Sequence, residues 1–178
     1  MRKMLSAALL MCMVALLSVL LIPTVLATKP EHVTGRLDYC AHPIAPLPAK
    51  MADGTVFLNT WEEGNWSGGI EGISRDEPCR VVIHGADGFP PTSFDFRWYT
   101  GISISEESIV DDKTGGLVIR LVGKAEFGQM WHGKWVILSG TGELEGIHGQ
   151  GTWWGLGAPG LNQWGYVDYE GWIHFEAD

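Results

Sequence analysis

Three groups of residues in this 178-residue chain have the types and spacing to do chemistry. The first is the six histidines. His132 and His148 flank a glycine-bounded reversal at Gly140-Thr141-Gly142. If Ser139 opposes Glu143 across that turn, Lys134 opposes His148 and His132 lies on its diagonal, about 7–8 Å away. Two imidazoles could converge at that distance, but no third ligand stands at a diagnostic spacing, so no metal is expected. The second group is Glu143 and Glu145, two apart and able to share a face. Paired carboxylates cleave glycosides only when a folded cleft fixes their separation; beside a turn they read as solvated charge. No serine sits in a nucleophile elbow and no phosphate loop is present, so no cofactor is expected and no catalytic residue can be named. The third group is the nine tryptophans. Trp153 and Trp154 are adjacent, so on a strand one of them faces away from the core. Trp172 shares parity with Asp168 and Glu170 and is expected on the wet face. Outward aromatics suit a flat apolar ligand or an interface.

The elements that must position these residues are strands. Val56–Trp61, Trp66–Ser74 and Cys79–His84 come first, the last ended by Gly85 and the Gly88-Phe89-Pro90-Pro91 break. Phe94, Phe96, Trp98, Ile102 and Ile104 then alternate with Asp95, Arg97, Ser103 and Ser105, the pattern of one buried and one wet face. Leu117, Ile119, Leu121, Ala125 and Phe127 alternate in the same way. After the hairpin and a glycine-proline loop, Val167, Tyr169, Ile173 and Phe175 share a face of the last strand. About eight strands with short turns predict an all-β protein, and closure into a barrel would hide the edge of that long last strand. Parity gives an inward, ligand-facing set of Phe94, Phe96, Trp98, Ile119, Leu121, Trp135, Ile137, Tyr169 and Phe175. Parity is weakest on the hairpin, where Val136 and Leu138 are apolar too.

The N-terminal part reads differently. Arg2 and Lys3 precede an apolar run from Met4 to Ile22, and Val25-Leu26-Ala27 is a small-x-small cleavage pattern, so residues 1–27 are expected as a signal helix that directs secretion. The run is also long enough to be an uncleaved membrane anchor. Residues 28–53, with Pro30, Pro43, Pro46 and Pro48, read as an extended tether or arm, and residues 54–178 as the barrel domain. In an exported protein Cys40 and Cys79 invite a disulfide, worth about 4 kcal/mol on a chain-entropy account. The net charge of −9 argues against nucleic acid and against anionic membranes beyond the signal segment.

The hairpin also carries a resemblance. Trp135-Val136-Ile137-Leu138 followed by Ser139-Gly140-Thr141-Gly142-Glu143-Leu144-Glu145-Gly146-Ile147-His148-Gly149-Gln150-Gly151 resembles the late hairpin of barrels related to plant allene oxide cyclase and dirigent proteins. Trp66-Ser67-Gly68-Gly69-Ile70-Glu71-Gly72 and Tyr166-Val167-Asp168-Tyr169 fit more loosely. The resemblance implies an eight-stranded antiparallel calycin-like β-barrel, often with an apolar cavity. It implies no catalytic residue, because the matched positions are structural glycines and core residues. The expected function is therefore a secreted barrel binding a small, mainly apolar ligand. The alternatives are an isomerase or cyclase using the same cavity, and a carbohydrate- or surface-binding module using outward tryptophans.

Overall fold

The computed structural model describes residues 28–44, 51–88, 91–158 and 160–176. Its strands are β1 (Glu31–Pro43), β2 (Met51–Ala52), β3 (Thr55–Gly68), β4 (Glu71–His84), β5 (Phe96–Val110), β6 (Lys113–Glu126), β7 (Trp131–Gly140), β8 (Ile147–Gly155) and β9 (Trp164–Phe175). Every pairing is antiparallel, from β3 through β9 in chain order. β1 pairs with both β9 and β3, which closes the sheet into an eight-stranded barrel; the two-residue β2 only extends β3. Closure leaves no long edge for another chain to pair with. The helical content of the described residues is a single 3-10 turn, Gly142–Leu144.

The expected all-β barrel is therefore present, with one change at its start. The segment read as a tether supplies β1, a full barrel strand. Prolines suggested an arm, yet β1 holds alternating Val33, Leu37 and Tyr39 against the core, and Pro43 comes only at its last residue. The proposed signal helix, residues 1–27, lies outside the described residues, as does part of the arm.

Alternation predicts the inner face well on β6 and β9. Leu117, Ile119, Leu121 and Ala125 are buried, as are Val167, Tyr169, Ile173 and Phe175. On β5 the faces are inverted. Gly101, Ser103 and Ser105 are buried, and Arg97 and Tyr99 face the lumen, while Phe96, Trp98 and Ile104 are exposed outside. A period-two pattern establishes that two faces differ, not which one is inside. Here the inner face is polar because it serves a buried network: Ser103 and Ser74 both accept from Trp66 Nε1, at 3.3 and 3.2 Å.

The hairpin register also differs from expectation. Trp135 pairs with Gly151 and Lys134 with Thr152, because the 3-10 turn lengthens the connection. His132 consequently faces Trp154, and His148 lies beside His174 of β9, so His132 and His148 do not converge. The glycines of the return strand let rings lie on backbone. A Cβ at Gly151 or Gly171 would stand about 2.5 Å from the indole of Trp135, which is fully buried and donates to the Glu170 carbonyl at 3.1 Å.

Cys40 and Cys79 are buried free thiols, not a disulfide. Tyr39 and Ala41 line the lumen, so Cys40 points outward from β1. Cys79 points inward, with Sγ 3.5 Å from the Tyr99 hydroxyl. The two strands flank β3 on opposite sides, and the cysteines pair with Glu63 and Thr60 respectively. Two strand spacings of about 4.8 Å each put the Cα atoms beyond the roughly 7 Å a disulfide tolerates.

Candidate functional site

One end of the barrel is filled and the other is hollow. Val33, Ile70, Val110, Leu117, Leu144 and Ile147 close the first end, all at most 5% exposed. The second end encloses a cavity of about 390 Å³. Its wall is mostly aromatic and aliphatic, with Tyr99, Trp131, Trp153, Leu121 and Phe94 among the lining residues. Tyr99 meets Trp131 and Trp153 edge-on, with ring centroids 6.3 and 6.1 Å apart, the arrangement aromatic quadrupoles favour. Two loops cover the mouth. One contributes Pro91 and Phe94, the other Ala158, Gly160 and Leu161. The second loop is pinned to β1, where the Ala158 amide donates to the Tyr39 hydroxyl at 3.1 Å and the Asn162 amide to the Ala41 carbonyl at 2.8 Å.

A polar cluster stands on one side of the cavity. Glu62 lies on the inner face of β3 with Val56, Thr60 and Trp66, and is only 4% exposed. Opposite it, a bulge in β4 shifts the register between Thr60–Cys79 and Glu62–Asp76, where Glu77 and Pro78 together oppose the single Trp61, one residue in excess. Proline lacks the amide a ladder needs and is tolerated at bulges. The bulge changes parity, so Asp76 and Cys79, three apart, both point inward. Tyr99 donates to Glu62 Oε2 at 3.0 Å. Ser74 donates to Asp76 Oδ1 at 3.0 Å, whereas Asp76 Oδ2 has no partner. Cys79 Sγ donates to the Asp76 carbonyl at 3.4 Å.

Burial governs the charge of this cluster. It pushes Glu62 up to about 8, helped by the neighbouring Asp76 charge and opposed by the hydroxyls of Tyr99 and Thr60. It pushes Asp76 up to about 6 against the hydroxyls of Ser103 and Ser74. Burial thus favours the protonated form of Glu62, in which it can donate a hydrogen bond into the cavity. Donor atoms of Glu62, Asp76 and Cys79 lie within 4.8 Å of one another, the group of described residues best placed to hold a metal. Burial raises the Cys79 thiol far above its ordinary range, which opposes the thiolate a metal needs. At the mouth, Arg97 lies with its guanidinium carbon 4.3 Å from the centroid of Trp131 and 5.1 Å from that of Phe94.

Of the inward set expected from parity, Phe94 and Leu121 line this cavity. Ile119, Trp135, Ile137, Tyr169 and Phe175 are buried in the core outside its lining. Phe96 and Trp98 are outside the barrel, 36% and 48% exposed. Sequence reasoning missed Tyr39, Glu62, Arg97, Tyr99, Trp131 and Trp153 as site residues. Glu62 carried a signal: an acid in the same parity as Val56, Leu58, Thr60 and Trp66 sits on an apolar face. Glu143 has a structural role, accepting from the Thr114 amide and hydroxyl at 2.9 and 3.0 Å, bonds that lower its pKa. Among the outward tryptophans, Trp172 is 55% and Trp164 59% exposed. They stand eight positions apart on β9, about 26 Å at strand rise, too far for one flat platform.

No protein-family model matches the chain, and no curated protein matches it either. Among solved structures it is similar to a protein of unknown function from the DUF3224 family of Shewanella oneidensis MR-1. That likeness has a TM-score of 0.58 and 17% sequence identity, and it covers 84% of this chain and 100% of the other. At that identity the likeness is one of fold. It supports the eight-stranded antiparallel barrel, and nothing in it points to the allene oxide cyclase and dirigent superfamily that the hairpin resembled.

Proposed function

We propose that this barrel binds a small, mainly apolar ligand in the cavity at its open end. The observation that carries the reading is the cavity itself: about 390 Å³, apolar on most of its wall, with a few polar groups at fixed places. Ligand pockets have this size and composition. Tyr99, Trp131 and Trp153 would stack on a flat ligand, and the Glu62 carboxylic acid would donate to a carbonyl or hydroxyl on it. The same protonated acid supports a second reading, acid-assisted isomerisation of the bound molecule, in which turnover requires Glu62. The leader-like residues 1–27 support export of the protein, which N-terminal sequencing of material recovered outside the cytoplasm would test.

Thermal shift and tryptophan fluorescence measure binding directly. A panel of lipophilic acids, terpenoids and phenolics should contain compounds that raise the melting temperature by mass action and quench emission. Trp153→Leu should weaken both effects. Stabilisation by soluble oligosaccharides alone, lost in Trp172→Ala and kept in Trp153→Leu, would replace the cavity with the outer surface as the binding site.

A further inference from the structure

Arg97 is the one cationic side chain among the described residues that line the cavity. It forms no ion pair among those residues, and its buried Nε has no hydrogen-bond partner. Arg80, Arg120, Lys124 and Lys134 also lack ion pairs among the described residues, but they are exposed to water, whereas Arg97 is partly buried in the cavity wall. A partly buried guanidinium is costly without a partner. Stacking on Trp131 and Phe94 holds its plane but supplies no acceptor to its edge. That edge, Nε together with an Nη, is the fork that takes a carboxylate in two parallel bonds. The Glu62 carboxyl does not fill the role. It is engaged by Tyr99 and Thr60, and Tyr99 lies two residues beyond Arg97 on β5, about 6.6 Å deeper.

We propose that the ligand is an amphipathic monocarboxylate, its carboxylate paired with the Arg97 guanidinium and its apolar body lying against Trp131, Trp153 and Leu121. This deepens the cavity-binding reading and rests on it. A single anionic charge is specified because the lining offers one cation. A second anionic group at the deeper end would find no second cation among the described lining residues and would lie near the buried Asp76 carboxyl, whose Oδ2 has no partner. The place of Arg97 against Trp131 and Phe94 sets the orientation, with the carboxylate toward the mouth.

The test is calorimetric titration of the full protein with 2-naphthylacetate and with its neutral isostere 2-naphthylacetamide. The acid should bind at least about tenfold more tightly, the order expected for a charge-assisted pair. In Arg97→Gln that preference should collapse to about onefold, and Arg97→Lys, which keeps the charge but loses the fork, should retain only part of it. Near-UV circular dichroism reports whether each variant keeps the native core. Equal affinities for acid and amide in the unaltered protein overturn the monocarboxylate inference while leaving cavity binding in place. A preference for the acid that persists in folded Arg97→Gln overturns Arg97 as its anchor. Binding of neither probe at millimolar concentration overturns both readings.

Discussion

The two ends of the barrel use similar residues to opposite effect. At the closed end, Trp135 and Tyr169 lie over glycine backbones, and Ile70, Leu117 and Leu144 fill the space between walls; all are at most 2% exposed. At the open end, Tyr99, Trp131 and Trp153 also line the wall, but Ala41, Thr60, Ala158 and Gly160 stand among them. Short side chains between large rings leave the lumen unfilled. An eight-stranded barrel is just wide enough either to fill with side chains or to hold one small ligand. This chain does one at each end. The buried Glu62 and Asp76 mark the side of the hollow where burial, rather than packing, sets the energetics.

The sharpest way to break this comparison is to truncate one ring from each end. Trp135→Ala should destabilise the protein by about 3–5 kcal/mol in denaturant titration, since it opens a cavity in a filled core. Trp131→Ala borders space that is already empty and should cost only about 1–2 kcal/mol. Equal losses would mean that the open end is as well packed as the closed one.

The pH dependence of stability tests the acids beside the cavity. Burial raises both folded pKa values, from 4.5 to about 8 for Glu62 and from 3.8 to about 6 for Asp76. The folded state therefore holds protons that the unfolded chain releases. Their contribution is fully present below about pH 4 and is lost as pH rises, through about 6 for Asp76 and about 8 for Glu62. Stability should fall between pH 5 and pH 9 by an amount on the order of 5 kcal/mol. Glu62→Gln should flatten the alkaline half of that decline. A flat profile in the unaltered protein would show that water or a cation already satisfies the pair.

A backbone change at the closed end should separate folding from binding. Gly142 has φ +66°, so Gly142→Ala should cost more than about 1 kcal/mol in thermal unfolding while leaving affinity at the open end unchanged. The smallest effects belong to the outer surface and the thiols. Trp98→Ser on the outside of β5 should stay within about 0.5 kcal/mol of the parent. Reductant should not shift the melting temperature, and Cys40 and Cys79 should both label in denatured, unreduced protein.

Much of this was legible in residues alone. Alternation on β6 and β9 gave both the strands and their inner faces, because there the buried side is apolar and the wet side charged. Trp153 and Trp154 had to point opposite ways, and Trp172 had to be outside, by parity alone. The inversion of β5 was not legible, because Arg97, Tyr99 and Ser103 look like a wet face until Glu62 and Trp66 of β3 are seen reaching over β4 to bond Tyr99 and Ser103. The bulge at Glu77-Pro78 was equally hidden. It makes inward neighbours of Asp76 and Cys79, which simple alternation would place on opposite faces.

Local sequence determined that this is a β protein of about eight strands, where its tight turns fall, and which residues share a face. Those features depend on backbone preferences and on a two-residue period, which neighbouring residues carry between them. Tertiary structure alone decided which face of β5 is inside, which cysteines can meet, and that one end of the barrel stays hollow with Arg97 at its mouth and Glu62 deeper within. Each of these depends on what side chains from distant strands bring to the same place, and neighbours in the chain hold no record of that.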